Sequence, residues 1–179
     1  MRVFIFVSVC FFSFFSLMQA METIQLHADE MSFDAQTKLL NAKRSVHFTY
    51  QGYILKGDKA VFDREKQEVL LTGKVTFEVE GFILRCQKMY LYSEKNILKA
   101  FEDVSFDFSV NTDSSQFVKG SCGELTYDFS LKQLLLTKNP LVFQDDHRLR
   151  SREIIVDVAT GKVMGKGGVR FDVGGAHGN

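Results

Sequence analysis

The sequence predicts an all-β protein, an elongated β-jellyroll or two-sheet sandwich of tandem antiparallel repeats with open edge strands. Three observations lead there. A unit of about 29 residues recurs five times, apolar residues inside it alternate with period two, and polar clusters between the apolar runs carry turn-forming residues.

The first copy runs from Ile24 to Gly52 and the second from Tyr53 to Gly81, each 29 residues long and ending on glycine. A third starts at Phe82 and keeps the same register to Phe108, after which Val110–Gln116 reads as an inserted polar loop. The fourth spans about Phe117 to Asp146 and the fifth His147 to Val173. Aligned, the copies give an all-phenylalanine column, Phe48, Phe77, Phe106, Phe143 and Phe171, preceded by Val46, Val75, Val104, Leu141 and Val169. In the first half of the unit the columns are Leu26, Leu55, Leu84, Gly120 and Leu149, then Phe33, Phe62, Leu91, Tyr127 and Val156.

Alternation of apolar and polar residues means a strand with one buried face. The phase slips once per copy, between Ala28 and Met31, Gly57 and Ala60, and Cys86 and Met89. A one-residue slip turns the second half inside out unless a bulge or bend absorbs it, so each copy should contain one there. The turns within copies fall at Asp34–Thr37, Asp63–Lys66, Ser93–Asn96 and Asp157–Gly161, and Gly52 and Gly81 join copies. About ten main strands follow, more if bulges split them. A two-strand unit buries its apolar face only by stacking on its neighbours.

The leading residues, MRVFIFVSVCFFSFFSLMQA, have the layout of a secretory signal: Arg2, an uncharged run from Val3 to Met18, and a small residue at Ala20. Cleavage is expected after Ala20, the alternative being a retained N-terminal anchor. The domain organisation is then a signal peptide at 1–20, one β domain at 21–173, and a disordered tail at 174–179 that lacks an apolar anchor. Without the leader's Arg2, 21 basic and 22 acidic side chains remain, a net charge of −1 that gives no reason to expect nucleic acid.

Reactive constellations are missing. His27 and His47 sit between inward neighbours and so point outward, His147 is in an acidic turn, and His177 is in the tail; none has metal-ligand spacing to a cysteine or carboxylate. Asp34, Asp63, Asp128 and Asp157 recur with the repeat, as turn residues do and catalytic carboxylates do not. The glycines around Lys166 lack the following Lys-Ser/Thr of a phosphate loop. No enzyme activity and no cofactor are expected. Cys86 and Cys122 share one repeat position with Ala28, Gly57 and Ser151, which suggests small packing residues; export would also permit a disulfide between them.

The repeated pattern resembles the OstA/LptA family of lipopolysaccharide-transport proteins, and does so over essentially the whole mature chain. Ile24-Gln25-Leu26-His27-Ala28-Asp29 followed by Phe33-Asp34, and Gly73-Lys74-Val75-Thr76-Phe77, carry the resemblance. Arg44-Ser45-Val46, Glu102-Asp103-Val104 and Asn139-Pro140-Leu141 depart from its Gly-x-Val. The resemblance implies a periplasmic protein with a twisted β-jellyroll whose interior holds the acyl chains of lipopolysaccharide. Its implied partners are an inner-membrane anchored adaptor, an outer-membrane barrel component, and further copies stacked head to tail through edge strands. Ile24, Leu26 and Phe77 match positions along the family's lipid path, and the inward columns add Phe33, Phe48, Leu55, Phe62, Leu84, Leu91 and Phe106 as lipid-lining candidates. Two alternatives stand beside this: a membrane-anchored adaptor or barrel-associated component of the same pathway, and a structural β-protein without lipid.

Overall fold

The computed structural model describes residues 25–50, 52–79, 81–109 and 117–174. These form fourteen antiparallel strands. They are β1 (Gln25–His27), β2 (Glu30–Asp34), β3 (Leu39–Tyr50), β4 (Tyr53–Asp63), β5 (Glu68–Val79), β6 (Phe82–Tyr92) and β7 (Ile97–Ser109). There follow β8 (Phe117–Asp128), β9 (Gln133–Thr137), β10 (Leu141–Gln144), β11 (His147–Arg150), β12 (Glu153–Asp157), β13 (Val163–Lys166) and β14 (Arg170–Asp172). Six long strands, β3 to β8, run through both halves of the molecule, and the four other repeat strands are each broken in two.

The break always falls at the phase slip. In every copy two consecutive residues of the returning strand adopt left-handed backbone: Arg44-Ser45, Gly73-Lys74, Glu102-Asp103, Lys138-Asn139 and Gly167-Gly168, with φ between 48° and 78°. They stand opposite the single residue that completes the slip on the outgoing strand. Between β3 and β4, for example, Lys43 pairs with Lys59 and Val46 with Gly57, so Arg44 and Ser45 face Asp58 alone. Where the strands are broken the same contact survives: the amides of Asp29, Gly123 and Arg152 donate to the carbonyls of Arg44, Lys138 and Gly167 at 2.9–3.1 Å. Left-handed conformation is strained for residues with a Cβ, and only two of the five pairs contain glycine. The sequence departures from Gly-x-Val therefore leave the geometry unchanged.

These bulges fold one continuous sheet into two facing layers. The first follows the order β1-β3-β4-β5-β6-β7-β8-β10-β11-β14, and the second uses β2, the other halves of β3 to β8, then β9, β12 and β13. Because the slip reverses the phase, both halves turn apolar side chains inward, and these form one buried cluster with no buried polar or charged side chain among the described residues.

The fourth copy corrects the column alignment. Its left-handed pair is Lys138-Asn139, so Pro140 and Val142 take the places of Val46 and Phe48, and both are buried. Leu141 and Phe143 lie out of phase, with Phe143 41% exposed on the outer surface. Aligning on the aromatic residue shifted that strand by one.

The turns are as expected. Asp34, Asp63 and Asp128 each accept two amides at 2.8–3.2 Å from the residues two and three further on, and Asp157 accepts the Thr160 amide at 2.9 Å. The third copy instead uses a 3-10 turn, Ser93–Lys95, closed by left-handed Asn96.

Candidate functional site

Among the described residues, every copy helps to build the interior between the layers. In the first layer Leu55 pairs with Phe48 and Phe77, and Leu84 with Phe77 and Phe106, so the inward row alternates long aliphatic and aromatic side chains. Leu71, Met89, Leu91, Leu98, Leu125, Leu134 and Leu136 face them from the second layer, all fully buried. Such a wall of hydrocarbon offers dispersion contacts, which suit an apolar chain.

In its middle this interior is packed rather than hollow. Aromatic rings from both layers meet there. Phe77 lies 6.4 Å from Tyr127 and 5.9 Å from Phe129, and Phe82 lies 5.7 Å from Tyr127. Along the side opposite the bulges, where strand ends of the two layers approach, Tyr53 at the start of β4 meets Phe129 in the turn after β8 at 4.9 Å. Tyr53, Phe62, Val79, Phe129 and Val158 are half-buried along this seam, forming a closed mouth of apolar side chains.

The two ends are different. At the first edge Leu26 and Ala28 are half-buried and Phe33 is 51% exposed, although all face inward. At the last edge a cavity of about 160 Å³ opens between Val142, Leu149, Val163, Gly165 and Phe171, with Gln144 and His147 at its rim. His147, placed by the sequence in an acidic turn, begins β11, and its ring lies tilted 5.5 Å from that of Phe171.

Of the lipid-lining candidates, Phe48, Leu55, Phe77, Leu84, Leu91 and Phe106 lie together in the packed middle. Phe62 sits at the mouth, Leu26 and Phe33 at the first edge, and Ile24 falls outside the described residues. Sequence reasoning missed Phe82, Phe108, Tyr53 and Phe129. The first pair could have been found by extending the alternation two residues, since Phe82 opposes Phe108 across β6 and β7. Phe129 lies in a turn, where period-two alternation carries no signal.

Cys86 and Cys122 are buried and free. They lie on β6 and β8 with β7 between them, where Val104 opposes Cys122. Two strand spacings amount to about 9.6 Å, beyond the roughly 7 Å that a disulfide tolerates between Cα atoms. The disulfide expectation is therefore withdrawn: each thiol fills the tight place beside a bulge. Burial pushes the Cys86 thiol up to about 11, and the Cys122 thiol and Tyr127 phenol up to about 12. The unfolded chain releases these protons first, near the ordinary 9.0 of a thiol and 10.0 of a phenol. Their contribution to stability is thus intact below about pH 9 and lost progressively toward pH 12. A urea midpoint that falls over this range, and falls less in the Cys86→Ser, Cys122→Ser double variant, is the expected result.

Among the described residues no cluster of three or more His, Cys, Asp or Glu could hold a metal, and no helix is long and apolar enough to cross a membrane. Comparison with protein families gives a match over residues 54–162, more than half of the chain, to the model described as "LptA/(LptD N-terminal domain) LPS transport protein". The chain belongs to this LptA/LptD N-terminal family. The LptA/LptD match begins in β4 and ends just before β13, so the first copy is a further repeat of the same unit outside the matched span. Among solved structures the chain is similar to LptH of Pseudomonas aeruginosa, the LptA-homologous periplasmic component of its lipopolysaccharide transport device. That likeness has a TM-score of 0.46 and 12% identity, covering 85% of this chain and 95% of LptH. Comparison with curated proteins finds no match.

Proposed function

We propose that this member of the LptA/LptD N-terminal family is a periplasmic lipopolysaccharide carrier that takes acyl chains between its two layers and stacks head to tail through its edge strands. One observation carries the reading: among the described residues the inward apolar stripe runs from the first edge to the last without a buried charge and is only partly covered at both edges. A fold that needed only its own core would have reason to blunt both edges. The partners in this reading are the inner-membrane anchored adaptor and the outer-membrane barrel component of the pathway, between which the stack forms a bridge.

Because the middle is packed, acyl chains enter by parting the layers at the mouth, where the Tyr53–Phe129 contact is the closing pair. The bulges on the opposite side act as the fold line. A photo-crosslinking residue at Leu26 and, separately, at Phe77 tests this in the folded protein with lipopolysaccharide present. Adducts at both positions are expected; adducts at neither would remove the carrier reading. Deleting residues 162–179 should abolish concentration-dependent oligomers seen by sedimentation, because it takes away the last edge. Unchanged oligomers would place the contact elsewhere. Cleavage after Ala20 belongs to the same reading, and an intact-mass measurement that finds the leader retained would assign the chain instead to the membrane-anchored adaptor.

A further inference from the structure

We infer that the outer face of β8, β10, β11 and β14 is a contact surface for an acidic phospholipid leaflet. An apolar ridge on β10 sits there among cations that no carboxylate neutralises. Such a contact is separate from acyl-chain carriage and does not depend on it.

The sister copies show what the ordinary outer face looks like. In the second and third copies the outgoing strand carries a cation beside the bulge, and the returning strand carries an acid diagonal to it. Lys56 bonds Glu78 at 3.2 Å and Arg85 bonds Asp107 at 3.0 Å. Directly opposite each cation stands a hydroxyl residue, Thr76 or Ser105.

Both features change toward the last edge. Counted from the left-handed pair, Phe143 stands where the other copies carry Thr49, Glu78, Asp107 and Asp172. Leu141 likewise replaces His47, Thr76, Ser105 and Arg170. The fourth copy thus sets a 41% exposed ring in a polar column. In the fifth copy Asp172 is held at 3.1 Å by Arg170 of its own strand, and Arg150 faces Arg170 directly. Like charges opposed across strands are unfavourable, and a bridging anion relieves them.

The result is a ridge, Leu141 and Phe143, with Arg150 and Arg148 along one flank and Ser121 and Lys119 along the other. Lys119 faces Asp107 and Arg148 faces Asp172, but Arg85 and Arg170 already hold those carboxylates. Arg150 has no ion-pair partner among the described residues. The Arg148 guanidinium lies 5.7 Å from the centre of the Phe143 ring, and its Nε is buried without an acceptor. Asp145 and Asp146 close the β10/β11 hairpin beyond Gln144 and His147, so the positive end of the patch lies toward Arg150. Phe117, two residues before Lys119 on the same face, is 53% exposed and extends the apolar surface.

The whole chain has 22 basic and 22 acidic side chains, so this is a local gathering of charge. Exposed phenylalanine and leucine flanked by arginine and lysine fit a leaflet: the rings settle at headgroup level and the cations meet lipid phosphates. A soluble anion or a purely acidic peptide would answer the charges and leave Phe117 and Phe143 in water.

Flotation of the full-length chain with vesicles tests this. Vesicles of phosphatidylcholine are compared with vesicles in which about a third of the lipid is phosphatidylglycerol. Only the excess on acidic vesicles counts, since an apolar leader binds both kinds alike. Binding to the acidic vesicles should be at least about tenfold tighter and should weaken as salt screens the surface. The Arg148→Gln, Arg150→Gln double variant should bind them roughly 30-fold more weakly, about fivefold for each arginine. Phe143→Thr, which gives this copy the residue type of Thr49, should weaken binding about tenfold. The Lys59→Gln, Lys99→Gln double variant removes two exposed cations from the outer face of the second layer and should change binding less than about twofold. All these positions are outward, and urea midpoints equal to the parent's check that the fold is intact. No excess on acidic vesicles, or equal losses in the two double variants, would overturn the inference. Binding unchanged in Phe143→Thr would make the occupant a soluble anion or acidic peptide and overturn the membrane assignment. No lipopolysaccharide enters the assay, so the carrier reading stands or falls separately.

Discussion

A chain lacking Glu102 should lose its cooperative unfolding transition. Glu102 and Asp103 are the left-handed pair of β7, facing the slip at Gly123. With one of them gone, the strand can no longer set two residues against one, and the halves on either side fall out of phase. If Leu98 and Ala100 keep their inward places, then Val104, Phe106 and Phe108, all buried now, turn to solvent. Exposing three such side chains costs roughly 5–9 kcal/mol at about 1.5–3 kcal/mol each. That is comparable to the whole stability of an ordinary domain, about 5–15 kcal/mol. Circular dichroism and a urea titration would check it. The control is Glu102→Gly, which preserves the count and relieves a strained φ of 64°; it should be neutral or stabilising by up to about 1 kcal/mol. A deletion variant that melts like the parent would mean that the bulge is incidental to the fold.

Phe77→Ala should cost about 3–5 kcal/mol, the second large effect. Its ring is fully buried and lies within 5.3–6.4 Å of Tyr53, Phe82, Tyr127 and Phe129, which draws side chains from both layers. Removing it leaves a void that strand-bound neighbours fill only in part. Phe171→Ala removes the same residue from the equivalent column of the last copy. There the ring is mostly exposed, so the loss in the isolated chain should stay below about 1 kcal/mol. Denaturant midpoints of the two variants at low protein concentration would separate packing from position in the repeat. Similar losses would indicate that the last edge is covered in solution.

Much of this architecture was legible in the residues. Period-two alternation located the strands, the slip between Gly57 and Ala60 located the fold line, and the turn aspartates did what their chemistry required. The fourth copy was misread because the seven-residue insertion before it breaks the 29-residue count, and Phe143 offered a tempting match one residue late. Alternation also reports only which way a side chain points. It could not say that Phe77 meets rings from the facing layer while Phe33 is 51% exposed, nor that Phe129, in a turn, folds back to close the mouth. The interior candidates were therefore identified as a face, and their division into a packed middle and two uncovered edges required the three-dimensional arrangement. The family match has the same character: it covers the repeat, whose pattern is local, and leaves out the first copy and last strands.

The spacing of the left-handed pairs has a consequence for growth. Successive pairs are 29 residues apart except between Glu102 and Lys138, where seven extra residues, Val110–Gln116, lie between β7 and β8. The pairing of β7 with β8 and of β8 with β10 nevertheless keeps its usual relation to the bulges on either side. Connections between copies can thus lengthen freely while the bulges keep count, at the modest entropic cost of a longer loop. Each added unit would lengthen the molecule by two strand spacings, about 10 Å. Duplication of whole units could then tune reach in steps of that size, and the connection after β7 is the natural place to insert a tag or a foreign domain.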